Sequence, residues 1–560
     1  MEVISLSFLT FATLFLGIAL MAFSWRKSAS ASNPIAKMIS STAFIGSQTG
    51  GESVINYSYT DLPWTLMMWD VYYFFHYLWA IFYVVWPMTP TDSGELSELS
   101  FTCGNMLSLG VHMVLVVLQL GFIVALPFMV LLPVWMAVGM MAGFMGANKL
   151  LCMILNGRGD QVEYHSDPEY AEAKKEHEGE VWIFINGVAA GEHWMKSNLN
   201  RLAVTFKRPI LGIHNKTAGI IFDVVECCIQ RNWQCCMLTV LPDATKDVRV
   251  CYRIIKAKLY DPQNTKVVFI LHSQGGIQGS LIIDWLLQEL PQDILSKLEV
   301  YTFGNAANHF NNPHRHVRSQ KVALRNPLAA KTDSTLKEDD ATISNGTGNT
   351  EPEPQPTTRQ QPQEEKIPSL TSLTSSTCSA RPSQISDRAV GHIEHYAHTT
   401  DFVALWGVLH FTTSTLDSPT MPRFIGRVFA RSSPRGGHQF VQHYLDGMFP
   451  LQRDASGNLL RDADGKLIGC VEEGDNEFME SEVIIGGNEG AAIEGDLEGE
   501  QVEIHSVSPI VPRKRATFRR EGVVKMRVRE LSRLWQYRDG GSPEEFKGRR
   551  KGEVRKGVTL

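Results

Sequence analysis

No charged residue falls between Val3 and Trp25 or between Asn105 and Asn148, no Lys or Arg between residues 471 and 503, and no Phe, Tyr or Trp between residues 331 and 388. The aromatic-free stretch carries six prolines and is rich in Ser, Thr, Gln and Glu. It cannot bury enough apolar surface to offset its ordering entropy, so 331–388 is expected to be a disordered insertion. Cysteine is also scarce, nine in 560 residues, and the number is odd. A disulfide framework belongs to small oxidised domains and is excluded here. The adjacent pairs Cys227/Cys228 and Cys235/Cys236 have no accompanying histidine, so they read as buried reduced thiols, and no metal or cofactor is expected.

The formal charge of −6 conceals two charged ends: residues 471–503 hold twelve Asp or Glu, and residues 513–560 hold sixteen Lys or Arg against six acids. In a membrane-anchored chain a basic tail is expected in the cytosol beside anionic lipid. No specific nucleic-acid partner is expected, and the charged ends offer surfaces for protein partners.

The uncharged runs point to a bilayer. Val3–Trp25 is 23 residues, close to the ~20 that cross a hydrocarbon core. It is preceded by Met-Glu and followed by Arg26 and Lys27, the reverse of a secretory signal, which implies an uncleaved anchor with its N-terminus outside. A second apolar stretch, Leu62–Met88, is crowded with Trp, Tyr and Phe and interrupted by Asp70 and His76. It either spans, the favoured expectation, or lies in the headgroup layer. Spanning would place 26–60 in the cytosol and the acidic loop 89–104 outside. Asn105–Asn148 is too long for one crossing at about 1.5 Å per residue. It is either a hairpin broken near Pro127 or one span with a helix lying flat. Residues 1–150 thus form a helical transmembrane region of three or four apolar segments. The folded part beyond is expected on the cytosolic side, its organelle open.

From 160 the pattern changes to short apolar strands alternating with helical stretches, as in a mostly parallel sheet covered on both faces. Val181–Ile185, Ile210–Ile213, Lys266–Leu271 and Leu298–Phe303 read as strands, and Asp247–Leu259 and Ile277–Leu290 as helices. His392–Tyr396 and Phe424–Arg431 resume the strands after the insertion, so the domain is expected over 160–330 and 389–450.

The strongest strand runs into His272-Ser273-Gln274-Gly275-Gly276 and then an apolar helix. A serine on a sharp strand-to-helix turn exposes its hydroxyl above the sheet, with the next N–H, that of Gln274, available to an oxyanion. Leu271 stands where the usual Gly-x-Ser-x-Gly pattern has glycine, and needs room beside the turn. Helix capping by Ser273 is the plain alternative. A serine nucleophile needs a base and an orienting carboxylate. Asp401, in His-Thr-Thr-Asp-Phe-Val, and His438, in Arg-Gly-Gly-His, follow in the order acid then histidine. Asp401 could instead start a helix over 402–409, and His443 competes with His438 as base. Gly187 or Val188, after the first strand, is the candidate second oxyanion donor.

Val268-Phe-Ile-Leu-His-Ser273-Gln-Gly-Gly276, Val300-Tyr-Thr-Phe-Gly304, Asp401-Phe-Val and Gly437-His438 together resemble α/β-hydrolases of the serine esterase and lipase type. More narrowly, they resemble lipase-like domains of fungal membrane proteins. The resemblance covers about 180–450 without the insertion. It implies an α/β-hydrolase fold and a membrane-anchored serine hydrolase that cleaves a carboxylic ester, plausibly a lipid, through an acyl-enzyme. Transfer of the acyl group to an alcohol is a variant of the same chemistry. The other reading is an inactive hydrolase fold serving as a membrane scaffold or lipid-binding protein. Transport is disfavoured because Asn105–Asn148 has no ionisable group except His112.

Overall fold

The computed structural model describes residues 41–48, 61–87, 93–157, 159, 161–233, 246–316, 388–413, 423–454, 458–463, 465–471, 476–485 and 524–543. Val3–Trp25, Cys235, Cys236, nearly all of the 331–388 insertion and most of both charged ends lie outside these residues.

One eight-stranded sheet organises the chain. Its strands are β1 (Ser41–Ile45), β2 (Glu163–His165), β3 (Glu180–Ile185), β4 (Ile210–Ile213), β5 (Lys266–His272), β6 (Leu298–Phe303), β7 (His392–His398) and β8 (Arg427–Ser432). Their spatial order is β1-β8-β7-β6-β5-β3-β4-β2. The six central strands are parallel, and β1 and β2 close the two edges in antiparallel register. This is a mixed α/β sheet. A parallel strand is buried on both faces, which is why β5 reads as an unbroken apolar run. Val268 and Ile270 enter one core layer, and Val267, Phe269 and Leu271 the other.

The helices are α1 (Pro63–His76), α2 (Cys103–Met129), α3 (Val134–Asn156), α4 (Glu192–Phe206), α5 (Ile220–Asn232), α6 (Lys246–Tyr260) and α7 (Gln274–Glu289). Met195, Leu199 and Leu202 of α4 fill the first layer. Cys228 of α5, Cys251 of α6 and Ile282 of α7 fill the second. Burial pushes the Cys228 and Cys251 thiols far above their ordinary range, so these cysteines pack as small apolar groups.

The folded unit extends past 160–450 in both directions. β1 comes from the N-terminal region and pairs with β8 from Ser41↔Ser432 to Ile45↔Val428, covering an edge that would otherwise be open. At the other end Phe478, Met479, Leu534 and Tyr537 are buried in the first layer. Glu482–Ile485 and Val524–Arg527 pair as a two-stranded ribbon. Part of each charged end is therefore spent inside the fold: Arg533 donates to Glu299 at 2.8 Å, and Arg529 contacts Glu480 at 2.9 Å.

Two helices, α2 and α3, are long and apolar enough to cross a membrane. The expected break near Pro127 falls later: α2 runs to Met129, and Pro133 precedes α3 with φ −54°. The stretch Leu62–Met88, expected to span, is described as far as Pro87. It forms the 14-residue α1 and a 3-10 turn over Leu78–Val84, with α1 about 21 Å long against a hydrocarbon core of about 30 Å. Asp70 of α1 is buried and paired with Arg231 of α5 at 3.0 Å, which fastens the segment to the α/β unit. Ser93 hydrogen-bonds Arg201 of α4 at 2.6 Å. β1 and Ser93 thus both belong to the one folded unit, through the pairing with β8 and the bond to Arg201.

Candidate active site

The chain leaves β3 toward β4 and leaves β5 toward β6, on opposite sides. Such a reversal opens a crevice beyond the carboxyl ends of the two strands. Ser273 follows β5 there, and Asn186-Gly187 follow β3.

Ser273 has φ 57° and ψ −121°, a conformation a non-glycine residue holds only when its surroundings over-determine it, at a cost of about 1–3 kcal/mol. Its N–H donates to the Phe303 carbonyl at 3.0 Å, and its own carbonyl accepts from Gly276 at 2.9 Å and Ala306 at 3.2 Å. The room that Leu271 requires comes from one helical segment later. A Cβ on Gly279 would lie 2.2 Å from Leu271 Cδ1, so a glycine eight residues downstream replaces the one missing from the motif.

Ser273 Oγ donates to His438 Nε2 at 2.9 Å, and His438 Nδ1 donates to Asp401 Oδ2 at 2.9 Å. All three residues are buried, Ser273 being 2% exposed. The two oxygens of Asp401 have different partners. Oδ1 caps Phe402–Trp406 by accepting from the N–H groups of Val403 at 2.8 Å and Ala404 at 3.3 Å. Oδ2 accepts from His438, and also from the Tyr444 hydroxyl at 2.6 Å. Burial alone would raise the Asp401 pKa. The His438 ring and these hydrogen bonds instead hold it below the ordinary carboxylate value, so it stays an anion facing Nδ1.

His443 is not part of this relay. Its Nδ1 accepts from the Gln439 N–H at 2.9 Å, and its Nε2 donates to the Pro87 carbonyl at 3.0 Å. Both nitrogens are thus engaged in holding backbone, and burial pushes its pKa down to about 4.

Several groups that sequence reasoning did not assign complete the surroundings. Tyr444 lies in the π-helical turn Phe440–Leu445, and nothing local in the sequence announces its bond to Asp401. His272 donates from Nε2 to the His438 carbonyl at 2.9 Å, and its ring stacks on His438 at 4.8 Å. Burial pushes its pKa down to about 3, so it stays neutral. The buried Glu98 carboxylate accepts from the Val441 N–H at 3.0 Å, and burial pushes its pKa up to about 7. The 3-10 segment straps the histidine loop from outside, where the His438 N–H donates to the Tyr83 carbonyl at 3.1 Å.

Gly187 is close to the serine. A Cβ there would lie 2.4 Å from Ser273 Cβ and 3.0 Å from Oγ, so only glycine lets this loop approach. Asn186 Nδ2 donates to the Gly187 carbonyl at 2.9 Å. In a trans peptide the next N–H points the opposite way, which turns the Val188 N–H away from Asn186. The Ala189 N–H is held by Asp223 at 2.9 Å. Gln274 opens α7, with its side chain bonded to Asn215 at 2.7 Å, so its backbone N–H lies at the positive end of a 16-residue helix.

The arrangement can deliver a proton from the serine hydroxyl to an imidazole whose cationic form faces a carboxylate. No protein-family model, curated protein or solved structure matches the chain.

Proposed function

We propose that the protein is a membrane-associated serine hydrolase on an α/β-hydrolase scaffold, cleaving a carboxylic ester of a lipid through an acyl-enzyme. The observation that carries this reading is the continuous relay from Ser273 Oγ through His438 to Asp401, with 2.9 Å at each step. Ser273 Oγ attacks the ester carbonyl while His438 Nε2 takes its proton, and Asp401 stabilises the imidazolium. The oxyanion accepts hydrogen bonds from the N–H groups of Gln274 and of Val188. The C–O bond to the alcohol breaks, and that alcohol leaves with the proton from Nε2. Water, deprotonated by the same histidine, then releases the acid from the serine.

The lipid assignment is supported by the apolar helices α2 and α3, which hold the site beside a bilayer. Labelling with a serine-directed fluorophosphonate tests the proposal. The folded wild type should label, and a folded Ser273→Ala variant should not. Labelling retained in the variant would remove Ser273 as nucleophile. A folded wild type that never labels would leave a non-catalytic lipid-binding role.

A further inference from the structure

Apart from Tyr260 and Ile468, every exposed large apolar side chain among the described residues lies between Leu62 and Ile154. These residues surround one end of the sheet. The 3-10 segment Leu78–Val84 crosses over the His438 loop, with Gln439 Nε2 donating to the Val84 carbonyl at 2.9 Å. α1 lies on α5 and against Trp406, whose indole N–H donates to the Asp70 carbonyl at 3.0 Å. α2 and α3 dock on the loop before α5: Gln119 and Asn148 both donate to the Ala218 carbonyl, at 2.8 and 3.1 Å. That loop also supplies Thr217 to Asp223 at 2.6 Å, the carboxylate that holds the Ala189 N–H beside Gly187. Every apolar attachment is thus at the carboxyl end of the strands, where Ser273 sits.

The two parts of this surface differ in character. Along α1 and the 3-10 segment the exposed side chains include Trp64, Trp69, Trp79, Phe82 and Trp86, and residues 61–103 contain no Lys or Arg. Such aromatic side chains favour the headgroup layer. The hairpin is mostly aliphatic and apolar to its tip, where Phe128 and Trp135 are also exposed. Val130, Leu131 and Val134 are 64%, 82% and 79% exposed, and the connection Val130-Leu-Leu-Pro133 has no polar side chain. Four N–H groups around it pair internally: Leu131 and Leu132 bond to the carbonyls of Phe128 and Met129, and Met136 and Ala137 to that of Pro133. Hydrocarbon demands such internal pairing, whereas a loop emerging into water on the far side would have no need to be apolar.

Length points the same way. Beyond Gln119, where the domain last hydrogen-bonds α2, the helix continues for about 15 Å to Met129, and Val134 to Asn148 covers about 21 Å, against a hydrocarbon core of about 30 Å. We infer that α2 and α3 form a re-entrant hairpin. Its tip at Val130–Pro133 stays inside the bilayer, and the catalytic end of the sheet is seated on the leaflet it enters, with α1 and the 3-10 segment in the headgroup layer. The assignment adds to the function proposed above the side from which a lipid ester arrives, but it does not require turnover.

The test uses the full-length Ser273→Ala, Cys103→Ser protein in sealed vesicles of uniform orientation, so that loss of catalysis cannot affect it. Further cysteines are introduced one at a time as Leu131→Cys and Lys175→Cys, with Trp135→Cys as a second tip position should the first fail to fold. A charged maleimide is added outside, then after permeabilisation by a pore-forming toxin, then in detergent. Lys175→Cys should react from one side in the intact bilayer. The tip cysteine should react above the parent background only in detergent. Reaction of the tip from the side opposite Lys175→Cys would make the hairpin a crossing one, and reaction from the same side would take the tip out of the bilayer. Either result overturns the inference. A nitroxide on Phe82→Cys should be shielded from a water-soluble nickel chelate relative to one on Lys175→Cys, and equal accessibility would refute the seating of the catalytic end.

Discussion

Exchanging the two histidines of the 438–443 loop for alanine should give opposite outcomes. His443→Ala removes a ring whose nitrogens serve the Gln439 N–H and the Pro87 carbonyl, and His443 is only 2% exposed. Each buried group left without a partner costs about 1–3 kcal/mol, so roughly 2–6 kcal/mol of stability should go. That is a large share of a typical total of about 5–15 kcal/mol. The folded fraction should still turn over, because the relay is intact. His438→Ala should reduce turnover by about 10⁴ while leaving the fold and fluorophosphonate-independent binding in place. His443 adds a pH signature. Its folded-state pKa of about 4 lies below the ordinary 6.5, so the unfolded chain binds the extra proton between those values. The stability this neutral ring contributes is complete above pH 6.5 and is lost as pH falls toward 4. Over that window wild type should lose up to about 1.4 kcal/mol per pH unit more than His443→Ala. Denaturant unfolding and ester turnover on the same detergent-solubilised samples give both readings. A folded, inactive His443→Ala beside an active His438→Ala would refute the assignment of the base.

Tyr444→Phe removes one charge-assisted hydrogen bond to Asp401 and should lower kcat about tenfold with KM little changed; steady-state kinetics would show an unchanged kcat if the hydroxyl were idle. Gly279→Ala should destabilise the fold by about 1–3 kcal/mol through its clash with Leu271. In a Leu271→Gly background the same change should cost much less, and additive costs in a double-mutant cycle would deny that the two positions share one space. Cysteines introduced one at a time at the partly exposed Ser47 and the exposed Glu95 should react with a charged maleimide, above the background of the parent, from the same face of sealed vesicles. Reaction from opposite faces would mean that α1 and the 3-10 segment cross the bilayer after all.

What the sequence disclosed depended on how local its signal was. The β5 run, the Ser273 turn and the acid-then-histidine order are written in short segments, and the structure brings those residues together. Asp401 resisted a single reading because its two oxygens do two jobs, capping a helix and orienting a ring. Leu271 looked like a defect in the motif because its compensation at Gly279 depends on α7 packing back over β5. β1 and the C-terminal layer were missed for a related reason. Ser41–Ile45 pairs with residues nearly four hundred positions away, and no local pattern names such a partner. Leu62–Met88 is ambiguous because its aromatic, apolar composition suits both a span and a surface helix. The buried Asp70–Arg231 pair that fastens it to the α/β unit is a tertiary fact.

The most direct test of the central claim is to trap the covalent intermediate. Wild-type protein in lipid nanodiscs would be mixed with an activated acyl ester, quenched in acid within the first turnovers and digested for mass spectrometry. The account predicts one acyl group, on the peptide containing Ser273, that accumulates and then decays as the acid is released. Steady turnover with no acyl group on Ser273, or an acyl group that forms on another residue, would contradict it.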